Sequence, residues 1–266
     1  MTVPFENDTG NIVRKLARKS LKSEKRRNLM VVIAVALASC LICFSIVMAL
    51  STRQIEKNHV EDTYEAVYTR ITEEDVSTLK GLDDFSRVGE YYMLAVEPAE
   101  QGYNASYIYC DEETMYIARD QMKLLEGRLP QKEDEVVVSR YFLSNYGADA
   151  GIGEKVMLSS ESFHGEYTVT GIMEGYKEKE VNGTSILLSK EALKGWSGYD
   201  PADYRAYVHF KNEQQMDETE LTARSREIAK EYQLEMPVMN LSYMKFYKQP
   251  VNVSMLALVA GIAVLV

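Results

Sequence analysis

Cysteine, histidine and tryptophan are scarce in this 266-residue chain, which contains three, three and one of them. Cys40 and Cys43 lie inside an apolar run, and Cys110 stands alone in the polar remainder of the chain. That remainder therefore cannot form an internal disulfide, and a hydrophobic core must stabilise it. No CxxC pair with accompanying histidines occurs, which excludes the common structural zinc sites.

Signatures of catalysis and nucleotide binding are also absent. The chain has no GxxxxGK[ST] motif and no GxSxG motif, so it carries neither a P-loop nor a nucleophile elbow. Gly151-Ile152-Gly153 lacks the third glycine of a dinucleotide site and predicts a turn before a strand. His59, His164 and His209 are scattered, and we expect them to be solvated or hydrogen-bonded. The sequence predicts no catalytic, cofactor-binding or metal-binding residue, and no cofactor.

Charge is missing from two long segments. Leu29–Leu50 contains 22 consecutive uncharged residues, and as a helix it is about 33 Å long, which matches a hydrocarbon core of about 30 Å. This length predicts a transmembrane helix. The alternative is a cleaved signal peptide, because Val47-Met48-Ala49 loosely resembles a cleavage site, but the apolar run exceeds a typical signal core.

The second uncharged segment, Val251–Val266, has 16 residues. A helix of that length reaches about 24 Å, which is too short to cross a bilayer comfortably. We expect a longer membrane protein that is cut inside its second transmembrane helix. A short C-terminal anchor or an amphipathic tail is the alternative.

The charges that remain are unevenly distributed. Residues 1–28 hold eight basic and three acidic residues, a net charge of +5, whereas residues 51–250 hold 22 basic and 37 acidic residues, a net charge of -15. Basic residues stay on the cytoplasmic side of a membrane span. We therefore expect 1–28 to be cytoplasmic and 51–250 to be extracytoplasmic. The acidic exterior segment argues against nucleic acid as a partner.

The basic leader has the pattern of an amphipathic helix. Ile12, Val13, Leu16 and Ala17 recur at helical spacing on one side. Such a helix should lie on the inner membrane surface among anionic lipids, where it could also contact a cytoplasmic partner. The alternative is a leader that only sets the topology. The candidates for the side that faces the membrane surface or such a partner are Arg14, Arg18, Lys22, Lys25, Arg26 and Arg27.

Both ends of the exterior segment have a β-α-β pattern. Two such units can pair into one α+β layer pair of the split β-α-β kind, which would bring the two ends of the segment together. The first unit comprises strands over Tyr64–Ile71 and Val88–Val96, with a helix that follows Thr72 through about Leu82. The second comprises strands over Tyr204–Phe210 and Val238–Leu241, with a helix over Glu218–Tyr232.

The middle of the exterior segment is rich in short strands and turns. Glu73-Glu74-Asp75 is expected to begin a helix, whereas Glu112/Glu113 and Glu133-Asp134-Glu135 are expected to lie in solvated turns. The tyrosine-rich strands are expected to supply core and sheet surface. Strands are predicted at Ser106–Tyr109, Glu135–Ser139, Lys155–Leu158, Tyr167–Ile172 and Ser185–Leu188, with a short helix at Arg140–Tyr146.

Two stretches resemble a known family. Asn11–Asn28 (NIVRKLARKSLKSEKRRN) followed by Leu29–Leu50 resembles the N-terminus of FtsX-like ABC-transporter permeases. Leu125–Pro130 (LEGRLP) followed by Glu135–Ser139 (EVVVS) resembles an element of the MacB-like extracytoplasmic core domain. Gly127 permits a turn, and Pro130 makes the preceding residue extended. Gly153-Glu154-Lys155 and Tyr167–Ile172 are similar to a later strand pair of that domain, and the motif residues are Gly127, Arg128, Pro130 and Glu135.

The resemblance implies a permease of the bacterial cell membrane that is multi-pass in its full length. Such permeases couple ATP hydrolysis by an ATPase to movement of an exterior domain, for export or mechanotransmission. Because only 28 residues precede the first apolar run, the ATPase is expected to be a separate subunit. The other expected partners are a second permease copy or paralogue and membrane lipids. The chain itself is expected not to be an enzyme.

The predicted fold class is α+β. We expect a cytoplasmic basic amphipathic helix over 1–28, a transmembrane helix over 29–50, an extracytoplasmic MacB-like core domain over 51–250 and the start of a second, truncated transmembrane helix over 251–266. Within the core domain, 51–104 and 191–250 form the porter-like α+β part, and 105–190 form the inserted β-rich part.

Two other classes of protein remain open from the residues alone. A membrane-anchored extracytoplasmic sensor domain of a signalling protein shares the same layout of spans and exterior segment. A membrane-tethered enzyme would need clustered polar residues in a pocket, and the sequence offers no such cluster.

Overall fold

The computed structural model describes residues 9–60, 63–100, 102–119, 122–146, 150–175, 178 and 183–248. The apolar segment 251–266, and with it the predicted second transmembrane helix, lies outside these residues. The described residues fall into two compact units, one up to Ile55 and the other from Glu56 onwards.

The first unit contains helix α1 (Thr9–Ser23) and most of helix α2 (Lys25–Val60), whose last five residues belong to the second unit. The part of α2 over Lys25–Ile55 is long and apolar enough to cross a membrane, as judged by length and composition. Inside it, the Ser39 hydroxyl donates to the carbonyl of Val35 at 2.9 Å, which satisfies a polar group within the helix itself. Helix α2 continues beyond the apolar run and ends at Val60.

The second unit is an α+β domain, which confirms the predicted fold class of an apolar N-terminal helix followed by a sheet-rich domain. Its strands are β1 (Ala66–Ile71), β2 (Phe85–Pro98), β3 (Asn104–Cys110), β4 (Met122–Gly127), β5 (Glu135–Ser139), β6 (Lys155–Ser159), β7 (His164–Gly175), β8 (Gly183–Leu188), β9 (Tyr204–Phe210) and β10 (Val238–Met239). Its helices are α3 (Glu73–Lys80), α4 (Glu112–Ile117), α5 (Arg140–Tyr146), α6 (Lys190–Gly195), α7 (Glu218–Glu231) and α8 (Leu241–Tyr243), followed by a π-helix over Met244–Lys248.

Within the described residues, these strands form one ten-stranded sheet in the order β10-β1-β9-β2-β3-β8-β5-β7-β4, with β6 paired to β7. Strand β9 lies between the two strands of the β1-α3-β2 unit, and β1 lies between the two strands of the β9-α7-β10 unit. The predicted split β-α-β arrangement is therefore confirmed. Residues Ala66 and Met239 are directly paired, so the two ends of the exterior segment meet.

The sheet continues from the porter-like strands into the middle segment, because β3 pairs with β2 on one side and with β8 on the other. The predicted boundary at 104/105 lies at the start of β3, and that at 190/191 lies at the start of α6. The division into a porter-like part and an inserted part stays a prediction, since strands from both parts share one sheet.

Both faces of the sheet are buried around β5. Val136 and Val138 pack into the larger core, whereas Val137 packs into a smaller core on the opposite face. This alternation follows from the two-residue period of a strand, and a strand buried on both faces can be apolar throughout. Cys110 and the short helix α4 belong to the smaller core, and Cys110 is buried there as a free thiol.

Tyrosines supply much of the larger core, as expected. The largest fully buried side chains include Tyr68, Tyr92 and Tyr204. The Tyr68 hydroxyl donates to the carbonyl of Ser225 at 2.9 Å, which ties β1 to α7. A buried tyrosine can therefore fill the core and satisfy its polar end at the same time.

Side-chain caps fix where two of the helices begin. Thr72 caps α3 and forms a capping box with Asp75, so the expected helix start at Glu73-Glu74-Asp75 is confirmed. Asp217 caps α7 and forms the same arrangement with Glu220. Each box satisfies two backbone donors that a helix leaves free at its N-terminus.

Three elements differ from the sequence expectation. Glu112 and Glu113 lie in the first turn of α4, which Asp111 caps, so the expectation of a solvated turn is wrong. Strand β4 and helix α6 were not predicted. The strand carries charged residues on its exposed side, and α6 is only six residues long.

We expect Asp217→Ala to lower the free energy of unfolding by about 1 kcal/mol, because the capping box of α7 is lost. Asp217→Ser should retain most of the stability, since serine is also a favourable cap. Urea unfolding of the chain in nanodiscs measures both variants. Equal losses for alanine and serine would contradict the capping role.

Candidate functional site

The basic residues of the leader are displayed on exposed helix surface. Arg14, Arg18 and Lys22 recur every four residues along α1, and Leu16 is also exposed on another side of that helix. Lys25, Arg26 and Arg27 are exposed at the start of α2, where Arg27 forms an ion pair with Glu24. A helix that presents cations on one side and apolar residues on another is suited to a membrane surface.

Arg128 and Glu135, two of the four motif residues, form a bidentate ion pair across the connection between β4 and β5. Arginine Nη1 and Nη2 lie 2.8 and 2.7 Å from the carboxylate oxygens Oε2 and Oε1. The backbone N–H of Gln131 also donates to Oε2 at 2.8 Å. Arg128 and these backbone donors lower the pKa of Glu135 to about 2. The expectation that Glu135 lies in a solvated turn is wrong, because its side chain is only 8% exposed.

Gly127 occupies a position that only glycine fits. Its φ angle is +82°, and an added Cβ would lie 2.2 Å from the carbonyl oxygen of Thr170 and 2.7 Å from Cα of Gly171. The next residue, Arg128, donates its N–H to that same carbonyl at 3.0 Å. Gly127 is the last residue of β4, where it pairs with Gly171, and is not part of a turn; Pro130 follows it in the irregular segment before β5.

A surface groove of about 800 Å³ lies beside this motif. Its lining combines apolar side chains with charges of both signs. Within the described residues, no group of histidine, cysteine or acidic side chains could hold a metal ion. The apolar lining is Met115, Tyr116, Leu124 and Leu129, and the charged lining is Glu112, Arg119, Lys123, Arg128 and Glu174.

The sequence model of the MacB-like periplasmic core domain matches residues 29–226, which is most of the chain. The chain belongs to this family. The resemblance that the LEGRLP and EVVVS segments indicated is therefore confirmed. No curated protein sequence is significantly similar to the chain.

Three solved structures are similar to the chain at low identity. The extracellular domain of the noncanonic ABC-type transporter YknZ from Gram-positive bacteria is 14% identical, with a TM-score of 0.47, and the match covers 67% of this chain and 100% of that one. The periplasmic region of MacB from Actinobacillus actinomycetemcomitans is 10% identical, with a TM-score of 0.48 and coverages of 70% and 92%. A domain of a permease protein from Porphyromonas gingivalis is 15% identical, with a TM-score of 0.45 and coverages of 73% and 96%.

Family membership supports a general permease role for the chain, and it is consistent with the expectation that the chain is not an enzyme. Together with the candidate transmembrane helix in α2, it indicates a membrane localisation. MacB-like and FtsX-like proteins work with ABC ATPase partners.

The MacB-like domain also contains an ionic cluster around the buried Glu90 that sequence reasoning missed. Lys190 Nζ lies 2.6 Å from Oε1 of Glu90 and 2.7 Å from Oε1 of Glu73, and Lys194 lies 2.9 Å from the other oxygen of Glu73. Burial alone would lower the pKa of Lys190. Its hydrogen bonds to the two carboxylates raise the pKa by more than burial lowers it, so the net shift is upward. The cluster joins α3, β2 and α6, whose residues are far apart in the sequence.

The histidines agree with expectation where their side chains are described. His164 is exposed, and His209 Nδ1 lies 2.8 Å from Oε1 of the buried Glu65. Burial lowers the pKa of His209, but the hydrogen bond and charge of Glu65 outweigh it and raise the pKa overall. The side chain of His59 lies outside the described part of the chain.

We expect Glu135→Gln to lower Tm at pH 7 by about 2–4 °C, because the bidentate pair with Arg128 is lost. The lowered pKa of Glu135 means that its stabilisation is present above the ordinary glutamate pKa and disappears as the pH falls towards 2. The difference from wild type should therefore narrow between pH 4.5 and 2 in thermal melts. The exposed neighbour Glu133→Gln serves as the control, and a difference that does not depend on pH would refute the pairing.

Gly127→Ala should destabilise the domain by at least about 2 kcal/mol more than Gly153→Ala, because of the steric clash. Both glycines have positive φ angles, but an added Cβ at Gly153 meets no atom within 4 Å. Comparing the two variants therefore separates the cost of the positive φ angle, which both share, from the cost of the close approach to Thr170, which only Gly127→Ala incurs. Urea unfolding measures the difference, and similar losses would show that close approach is unimportant.

Proposed function

We propose that this chain is a permease subunit of an ABC transporter in which a separate ATPase drives movement of the exterior domain, for export or mechanotransmission. The observation that carries the proposal is the continuity of the chain between a candidate membrane span and a MacB-like sheet. Helix α2 ends at Val60, and β1 begins at Ala66. Six Cα–Cα steps reach at most about 22 Å, so a displacement of the helix has a short covalent path into the sheet.

The leader supplies the cytoplasmic end of this path in our proposal. Arg14, Arg18 and Lys22 on α1, and Lys25, Arg26 and Arg27 on α2, face the anionic inner leaflet or the ATPase. Each basic residue near such a surface contributes about 1 kcal/mol of attraction. The exposed apolar residues of α1 would rest in the headgroup region, so the leader could follow movements of the ATPase without leaving the membrane.

The proposal assigns residues 1–28 to the cytoplasm, 29–50 to the membrane and 51–250 to the exterior of a multi-pass protein. A second permease copy or a paralogue would provide the matching half, as is typical of ABC transporters. The motif residues Gly127, Arg128, Pro130 and Glu135 have a structural role in this proposal. They hold the connection between β4 and β5 rigid beside the groove, which would contact the cargo or a regulated protein.

Charge reversal of the leader tests the proposal. We expect the combined variant Arg14→Glu, Arg18→Glu and Lys22→Glu to reduce recovery of the ATPase with the affinity-tagged chain at least about tenfold, because three attractions of about 1 kcal/mol become repulsions. Recovery is measured as ATP hydrolysis by the purified complex from native membranes. The polypeptide responsible is then identified by its P-loop.

The matched control reverses three exposed lysines of the exterior domain, Lys132, Lys155 and Lys230. This control should leave ATPase recovery unchanged, because the charges lie on the other side of the membrane. An unchanged recovery for the leader variant, or an equal loss for both variants, would overturn the proposed role of the leader.

A further inference from the structure

Glu65 is a fully buried carboxylate at the point where the chain enters the exterior sheet. It lies between the end of α2 and the start of β1, and its relative exposure is 0%. Burying a carboxylate costs free energy unless hydrogen bonds satisfy it. The partners of Glu65 therefore indicate why an acidic residue occupies this position.

Every polar group of Glu65 has a partner, and most of these partners belong to β9. Its N–H donates to the carbonyl of Val208 at 3.0 Å. Its carboxylate oxygen Oε2 accepts the N–H of Phe210 at 2.7 Å, and Oε1 lies 2.8 Å from Nδ1 of His209. Nδ1 also lies 3.1 Å from the carbonyl of Thr63. Because a carbonyl and a carboxylate are both acceptors, Nδ1 must carry the proton.

The remaining polar group of Glu65, its backbone carbonyl, binds the segment 238–243, in which the chain leaves the sheet. Its carbonyl accepts the N–H of Asn240 at 2.8 Å. The Asn240 side chain donates to the carbonyl of Tyr64 at 2.9 Å, and its oxygen accepts the N–H of Tyr243 at 3.2 Å. Asn240 thus caps α8 while it is bound to the entering segment.

We propose that Glu65 is a positioning residue that joins the entering segment 63–65, strand β9 and the leaving segment 238–243 into one mechanical clasp. The side chain binds β9, and the backbone of the same residue binds the leaving segment. A displacement of either end segment is therefore passed to β9, which lies between β1 and β2 inside the sheet. This inference rests on the proposed function for its purpose, but its geometry does not require an ATPase.

Reciprocal loosening in hydrogen exchange tests the clasp in the full chain in nanodiscs. Glu65→Gln weakens only the side-chain contacts to β9, so the amide of Phe210 should exchange about tenfold faster. If the clasp acts as a unit, the amides of Asn240 and Tyr243 should also exchange at least about threefold faster, although the Glu65 side chain does not bind them.

The converse variant is Asn240→Ala, which removes the contact to Tyr64 and the cap of α8. It should accelerate exchange of the Phe210 amide at least about threefold as well. Glu90→Gln is the matched control, because Glu90 is another buried carboxylate that contacts neither segment. The control should leave all three amides unchanged. If each variant accelerates exchange only at the amides that its own altered side chain contacts, the clasp is overturned.

A second measurement links the clasp to transport. In a complex reconstituted with the ATPase, Glu65→Gln should retain ATP hydrolysis while the ATP-dependent distance change of a fluorophore pair across the exterior domain falls at least about threefold. An unchanged distance response in Glu65→Gln would overturn the transmitting role. If the wild-type complex showed no distance change, the proposed function would fail, whereas the exchange result would still decide the clasp.

Discussion

The pairing of β1 with strands on both sides is the constraint on which the exterior domain depends. Ala66 faces Val208 of β9 on one side and Met239 of β10 on the other, so the entering chain is enclosed between two strands that come from the far end of the segment. Strand β9 pairs with β1 on one side and with β2 on the other, and β2 in turn pairs with β3. The parallel pairing of β3 with β8 extends the same sheet into the β-rich middle. The position of the middle segment is therefore determined by the strands that follow the membrane helix.

Local patterns predicted the elements whose signals are contained within a few residues. The run Glu135–Ser139 and the segment Tyr204–Phe210 are β-branched or aromatic, and both strands occur with the predicted bounds. The predicted helix over Glu218–Tyr232 occurs as α7, with Leu221, Ile228 and Ala229 buried on one side. The separation of the candidate membrane helix from the sheet-rich domain followed from the distribution of charged residues.

Interactions between distant residues could not be predicted in the same way. Glu65 and His209 are separated by 144 residues, and neither has a neighbour in the sequence that indicates the other. Glu135 resembled a solvated acidic residue because two other acidic residues precede it, and only the fold shows that Arg128 covers it. The ionic cluster around Lys190 likewise depends on three elements that meet only after folding. The candidate site is therefore harder to predict from the sequence than the fold is.

The contact between Tyr64 and Asn240 also determines when the domain can be completed during synthesis. These residues are 176 positions apart, and the strand β10 that precedes Asn240 contributes only two residues to the sheet. Contacts between such distant residues form late, because a long loop must close first. The sheet cannot acquire its last strand until nearly all of residues 51–250 have been synthesised. Folding of this domain is thus completed only late in synthesis, and until then the edge of β1 depends on β9 alone for protection from other strands.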